Sequence, residues 1–316
     1  MSFNHLHVHS HYSLLEAVPQ IPDLVKKAKE LGYKNLALTD TNNLYGAIEF
    51  LKACKKAEIK PIIGCELSIA EKSMHEEVNA STNRLFKVVL LAKDLEGYKN
   101  LIKLVSFAHT IPVGKRVPCI DLNEIEKHKD GLIMLSGLTE SLLWEKLRQN
   151  DLDSARFFLT ECKKIFNKGD ENNFYIEVGS LEGIPDANIV RESSIKLSQE
   201  LNIPLVATSN SYYLNLGDRV AQKVLMGISN EIDGKERFNQ VFRNGNFSFA
   251  TPQEVEKNFA DIPQAIENTQ VIVDACNLEI PLGNWVFPKV TIPAGFTPGE
   301  YLRKLVYDGF EQRNLE

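Results

Sequence analysis

No apolar run in this sequence approaches the roughly 20 residues that a membrane-spanning helix needs. The opening, Met1-Ser2-Phe3-Asn4-His5, has neither the basic n-region nor the apolar h-region of a signal peptide. Cys-x-x-Cys pairs are also missing. The 5 cysteines (Cys54, Cys65, Cys119, Cys162 and Cys276) are scattered, and an odd set of isolated thiols fits a reducing cytosol better than a disulfide scaffold. Walker-type phosphate loops, Rossmann fingerprints and Gly-x-Ser-x-Gly elbows are absent, which removes the enzyme classes built on them. A basic excess is lacking too. Against 36 Lys and Arg stand 42 Asp and Glu, a net charge of −6, so charge disfavours a free-standing DNA binder with a basic face. The expectation is a cytoplasmic protein without a membrane partner.

What is present is the mixture of an ordinary globular chain, 43% hydrophobic and 25% charged, which excludes disorder and collagen-like repeats. With 316 residues, against roughly 150 per domain, the chain has room for two domains or for one large barrel with an appendage. Short apolar, β-branched runs alternate with stretches of helical period. The candidate strands are residues 5–8, 36–39, 61–69, 88–92, 132–136, 174–178 and 205–208. Between them, Leu24, Val25, Ala28 and Leu31 repeat at helical spacing before Gly32, Ala47, Ile48, Leu51 and Cys54 form a second stripe, and Tyr98, Leu101, Ile102 and Val105 a third. Strand–helix alternation predicts right-handed crossovers and a parallel sheet. Seven such strands are enough to close a (β/α) barrel, and an open doubly wound sheet fits the spacing as well. Residues 280–297, rich in proline and glycine, read as a linker. A final helix is predicted from about Thr297-Pro298, with Leu302, Leu305, Val306 and Phe310 on one face. That face has no evident partner, which suggests a chain that continues into another domain.

In (β/α) barrels the chemistry gathers at the C-terminal ends of the strands. Four of the 7 histidines, His5, His7, His9 and His11, fall in the first candidate strand and its exit, all of one parity. Side chains at i and i+2 share a face, about 6.6 Å apart along the strand, so two imidazoles can converge on one ion. Leu6 and Val8 alternate with them as a core-facing set would. Other strand ends offer Thr39-Asp40, Gly64-Cys65-Glu66, Glu177 and Ser209-Asn210, and His109 closes the helix after the fourth strand. A histidine and carboxylate mixture suits Zn, Mn or Fe. Taken singly, Glu66 reads as a solvated strand-end glutamate and Glu177 as structural.

These residues resemble a known signature. His5-Leu6-His7-Val8-His9-Ser10 followed by Tyr12-Ser13-Leu14-Leu15, Leu38-Thr39-Asp40, Lys60-Pro61-Ile62-Ile63-Gly64-Cys65-Glu66 and Gly131-Leu132-Ile133-Met134-Leu135-Ser136-Gly137 are similar to the PHP (polymerase and histidinol phosphatase) domain. Asn42-Asn43-Leu44-Tyr45-Gly46-Ala47, Gly97-Tyr98-Lys99-Asn100-Leu101 and the segment from Phe259 to Thr269 narrow the resemblance to the PHP domain of bacterial DNA polymerase III alpha subunits. The resemblance implies an α/β fold, with a distorted TIM-like (β/α)7 barrel over residues 1–280. Residues 281–316 would then be a linker and the truncated, mostly helical start of the polymerase palm. The catalytic aspartates of such a polymerase, which uses Mg, would lie beyond this chain, so no polymerase catalytic residue is expected within it.

Intact PHP domains of this family bind up to three metals through nine ligands and can act as 3′→5′ proofreading exonucleases. Carried over position by position, the resemblance keeps His7, His9, Glu66 and His109, and places Glu16 where Asp or His is usual. Four positions depart from the pattern: Thr41 for His, Leu138 for Cys or His, Asn210 for Asp and Tyr212 for His. Leucine cannot ligate a metal, and Thr and Tyr are poor substitutes for imidazole. His7, His9 and Glu66, with Asn210 as a further donor, are thus expected to hold at most one divalent ion (Zn, Mn or Fe). Phosphodiester cleavage calls for clustered ions about 3.5–4 Å apart. The expectation is therefore a barrel that is mainly structural, bracing the palm and thumb and docking a separate proofreading exonuclease subunit, with primer-template DNA bound by the parent polymerase. The alternatives are an active metal-dependent exonuclease and a stand-alone phosphoesterase of the histidinol-phosphatase kind.

Overall fold

The structure, a computed structural model, describes residues 3–76, 83–110, 118–167, 171–233, 245–283 and 287–313. Its contacts divide the chain into two units, Met1–Glu279 and Ile280–Glu316. The first unit is built on a six-stranded sheet in sequential order, formed by β1 (Asn35–Leu38), β2 (Lys60–Ala70), β3 (Leu85–Ala92), β4 (Leu132–Leu135), β5 (Phe174–Gly179) and β6 (Leu205–Thr208). The candidate strand at residues 5–8 is not a regular strand. It is held by single bridges, His5 with Leu36 on one side and Val8 with Ser211 on the other. Ala37 N and Thr39 N donate to the carbonyls of His5 and Val8, while His9 N and Ser211 N bond across the opposite side. This segment therefore joins the two edges of the sheet and closes it as a distorted TIM-like barrel.

Alternation along each strand sends one set of side chains to the interior. Leu6, Ala37, Ile62, Val89, Leu91, Ile133, Leu135, Tyr175 and Val206 form that inner cluster, joined by Ile272, Val273 and Cys276 from α10 (Pro263–Ala275) and its C-cap. The opposite faces pack on helices. Leu24, Val25 and Ala28 are the buried stripe of α1 (Ile21–Glu30). Ala47, Phe50 and Cys54 play the same part in α2 (Ala47–Ala57), and Leu101, Leu104 and Ala108 in α3 (Leu95–Thr110). The circuit continues with α4 (Leu122–Lys127), α5 (Leu142–Arg148), α6 (Leu152–Phe166), α7 (Ala187–Leu201), α8 (Arg219–Asp233) and α9 (Pro252–Asn258). Thr251 and Glu254 cap α9 reciprocally, with Pro252 in its first turn.

The expectation of an all-parallel sheet is corrected. Strand β3 runs antiparallel to both β2 and β4, while β1–β2, β4–β5 and β5–β6 are parallel. The reason is the connection: among the described residues between β2 and β3 there is no helix to carry a crossover, and Glu71 N bonds back to Arg84 O as the chain returns. Reversal of β3 brings its N-terminal end to the rim where β1, β2, β4, β5 and β6 present their C-terminal ends.

In the second unit, α11 (Pro298–Gln312) begins at a reciprocal cap between Thr297 and Glu300. Leu302, Leu305, Val306, Tyr307 and Phe310 are all exposed along it.

Candidate metal centre

The site forms at that rim because the chain bends at His7. Leu6 faces the barrel interior, and the bend turns His7 toward the interior as well, with the His9 ring following 5.1 Å from it. His5 goes the other way. It stacks on Phe249 with ring centroids 3.8 Å apart, lies edge-on to Phe3 and Tyr33, donates from Nε2 to Ala250 O and accepts from Ser209 Oγ. Equal parity alone would have grouped the three imidazoles; the bend separates His5 from the other two. Burial pushes the His5 imidazole down to about 3, so it is a neutral packing group.

His7, His9 and Glu66 bring their donor atoms within 4.8 Å of one another, all three buried. His7 Nδ1 is tied to Glu177 Oε1 at 2.6 Å, which leaves Nε2 facing Glu66 Oε1 at 3.2 Å. His9 Nδ1 is tied to Ser13 Oγ at 3.0 Å, and its Nε2 faces Asn210 Oδ1 at 3.1 Å. Each ring is therefore anchored on one nitrogen and offers the other inward, the arrangement by which an outer carboxylate or hydroxyl orients an imidazole ligand. Burial opposes charge on His7, but Glu177 and then Glu66 outweigh it and raise its pKa to about 9. For His9 burial prevails and the pKa falls to about 3. One imidazolium lodged between two carboxylates marks a place where positive charge belongs.

Glu66 is shared. Its Oε1 faces His7, while its Oε2 accepts from Thr41 Oγ1 at 3.0 Å and from Lys87 Nζ at 2.9 Å. Lys87 also reaches Glu140 Oε2 at 2.8 Å and Glu16 Oε2 at 3.3 Å. Thr41 Oγ1 donates to Glu16 Oε2 at 2.8 Å, so Thr41 links the same pair of carboxylates. Burial disfavours the Lys87 ammonium, yet Glu140, Glu16 and Glu66 hold its pKa well above the ordinary lysine value. Burial likewise disfavours the Glu66 carboxylate, and Lys87 with the two imidazoles holds it below the usual range. Glu140 is pushed up to about 7, by desolvation against the pull of Lys87, with Glu66 and Glu16 adding to the rise.

Around this cluster, Asp40 fixes the loop that carries His9. It accepts from Ser10 N, Ser10 Oγ and Ser13 Oγ, each at 2.7 Å, and burial raises its carboxyl to about 6. His109 lies apart from the group, with Nε2 bonded to the Asn42 carbonyl at 2.7 Å. Leu138 is buried and packs against Gly179. Tyr212 stacks on His9, with centroids 4.2 Å apart and planes 14° from parallel. Sequence reasoning missed Lys87 and Glu140 and left Glu177 as structural. The signal for Lys87 was a lone lysine in the run Leu85-Phe86-Lys87-Val88-Val89-Leu90-Leu91-Ala92.

A family model described as the PHP domain matches residues 5–180. The DNA polymerase III subunit alpha of Borreliella burgdorferi is 37% identical over 318 residues, which cover 99% of this chain and 27% of that protein. The subunit of the same name from Treponema pallidum is 34% identical over 315 residues, covering 99% of this chain and 26% of that one. The chain thus spans about a quarter of the length of these relatives. Among solved structures, a two-domain protein from Bacteroides vulgatus containing a predicted PHP-like metal-dependent phosphoesterase aligns with a TM-score of 0.37 and 14% identity, over 66% of this chain and 52% of that chain.

Proposed function

The chain belongs to the PHP domain family, and on that premise we propose that it is the N-terminal PHP region of a replicative DNA polymerase III alpha subunit, with a barrel that is mainly structural. Relatives of that name align over nearly the whole chain. Residues 1–280 are the PHP barrel in this reading, and 281–316 lead into the palm. DNA synthesis, its Mg and the primer-template belong to the parent protein, a cytoplasmic enzyme. The barrel braces the palm and thumb and offers a surface to a proofreading exonuclease subunit.

One observation carries the structural role: among the described residues, His7, His9 and Glu66 are the group whose metal-donor atoms all lie within 4.8 Å of one another. Their chemistry fits one ion. The anchored rings present Nε2 from both histidines beside Glu66, and Asn210 Oδ1 adds an oxygen. An ion there would supply a Lewis acid, whereas phosphodiester cleavage needs a cluster of them. His109 is engaged by a backbone carbonyl, Leu138 has no donor, and Tyr212 covers one face of His9. Elemental analysis of the chain after exhaustive dialysis is expected to give no more than one equivalent of Zn, Mn or Fe. Two or three equivalents, together with hydrolysis of a 3′-mismatched primer, would replace this reading with that of an active exonuclease.

A further inference from the structure

We infer that Lys87 is a built-in cation that fills a position otherwise suited to a divalent ion, closing the carboxylate cluster of Glu16, Glu66 and Glu140. Three carboxylate oxygens surround the Lys87 ammonium, and the Thr41 hydroxyl bonds two of those carboxylates. An oxygen-only set of this kind is what a hard divalent cation selects. That position is held instead by Nζ, at 2.8, 2.9 and 3.3 Å from the three carboxylates. Those are hydrogen-bond lengths, against about 2.0–2.2 Å for metal–oxygen bonds. An ammonium has three N–H donors, one for each carboxylate.

The backbone supports this placement. Lys87 N donates to Glu140 O at 2.9 Å, so Glu140 is bound to Lys87 through both main chain and side chain. Gly137, at φ +80°, lets the β4–α5 loop approach so closely that a Cβ there would collide with the Lys87 carbonyl. Lys87 itself is only 8% exposed, so its contacts are not those of a mobile surface lysine. Because Glu66 turns one oxygen to His7 and the other to Lys87, the ammonium stands on the far side of the carboxylate that the one-ion reading places beside the histidines. The inference rests on that reading and explains why a second ion is kept out: the position already carries positive charge.

The test is Lys87→Met, which keeps the stem and removes the charge. Mn2+ is titrated into chelator-stripped wild type and variant, and bound equivalents are counted after equilibrium dialysis. The variant is expected to bind one equivalent more than wild type. Its Tm without metal should fall by on the order of 10 °C, since a buried charge cluster loses its partner, and Mn2+ should restore most of that loss. Equal stoichiometry in a folded variant overturns the inference. If the variant does not fold without metal, it is refolded with and without Mn2+: recovery only with the ion supports the inference, and failure with it overturns it. The wild-type count alone tests the one-ion reading; the difference between the two proteins tests Lys87.

Discussion

His7 Nδ1 and Glu177 Oε1 lie 2.6 Å apart, with both side chains out of solvent. Glu177 is itself secured, since Thr208 Oγ1 donates to the same carboxylate oxygen and Glu177 N donates to Ser136 Oγ. A strand-end glutamate that looked structural thus sets the direction of an imidazole at the centre of the site. It also keeps that imidazole charged when no metal is present.

Glu177→Gln separates these effects. In metal-free protein the His7 pKa, raised to about 9 in the wild type, should drop toward or below its ordinary 6.5. A histidine raised on folding adds stability that is complete below pH 6.5 and disappears as pH climbs through about 9. Wild type should therefore resist urea better at pH 6 than at pH 9.5 on this account, and the variant should lose that contrast together with about 1–3 kcal/mol at pH 6. NMR titration of the His7 ring checks the first point and paired urea melts the second. An unmoved His7 titration would show that Glu177 does not control it.

His5 acts in the opposite sense. Its imidazole, held down to about 3 by burial among Phe3, Tyr33 and Phe249, must stay neutral in the folded chain. A depressed pKa gives stability that is complete above 6.5 and is lost as pH falls through about 3. The loss amounts to roughly 1.4 kcal/mol per pH unit in that window. His5→Gln should lower stability at neutral pH and flatten the decline between pH 6 and pH 4, which denaturant midpoints at each pH would reveal. A parallel decline in the variant would assign acid sensitivity to other groups.

Gly97 opens α3 against Gly131, the residue before β4. A Cβ on Gly97 would collide with the Gly131 carbonyl, and Gly131 sits at φ +73°. Asp94 braces the same junction by accepting from Gly97 N at 2.9 Å. Gly97→Ala should therefore cost at least about 1–3 kcal/mol by overpacking, while Gly299→Ala, in open space on α11, should be close to neutral or slightly stabilising. Chemical denaturation of the two variants measures the contrast.

Much of this molecule is legible in its sequence, for physical reasons visible in particular residues. Short apolar, β-branched runs mark β1, β2 and β4–β6, and the resemblance to the PHP domain points to His7, His9 and Glu66. The direction of β3 is not encoded in a run such as Leu85–Ala92, because an apolar strand reads alike in either sense. The reversed strand delivers Lys87, near its N-terminal end, to the rim. The bend at His7 was equally hidden, since a one-residue change of face leaves no mark on composition. Glu140 depends on both features, being bound to Lys87 from a loop that only Gly137 allows to approach.

Placing metal donors at the four positions that depart from the pattern the resemblance implies tests how many ions this rim can hold. Thr41→His, Leu138→Cys, Asn210→Asp and Tyr212→His supply those donors. They leave the Lys87 ammonium 2.9 Å from that carboxylate. Two unit charges 4 Å apart at an effective dielectric of 20 repel by about 4 kcal/mol, and a divalent ion doubles this. The fourfold variant should therefore gain metal only where Lys87 does not reach, with Mn2+ content rising to no more than two equivalents by elemental analysis. Adding Lys87→Met to the four should admit a third. Three equivalents bound while Lys87 is intact would mean that the ammonium moves aside readily, and the competition between lysine and metal would have to be abandoned.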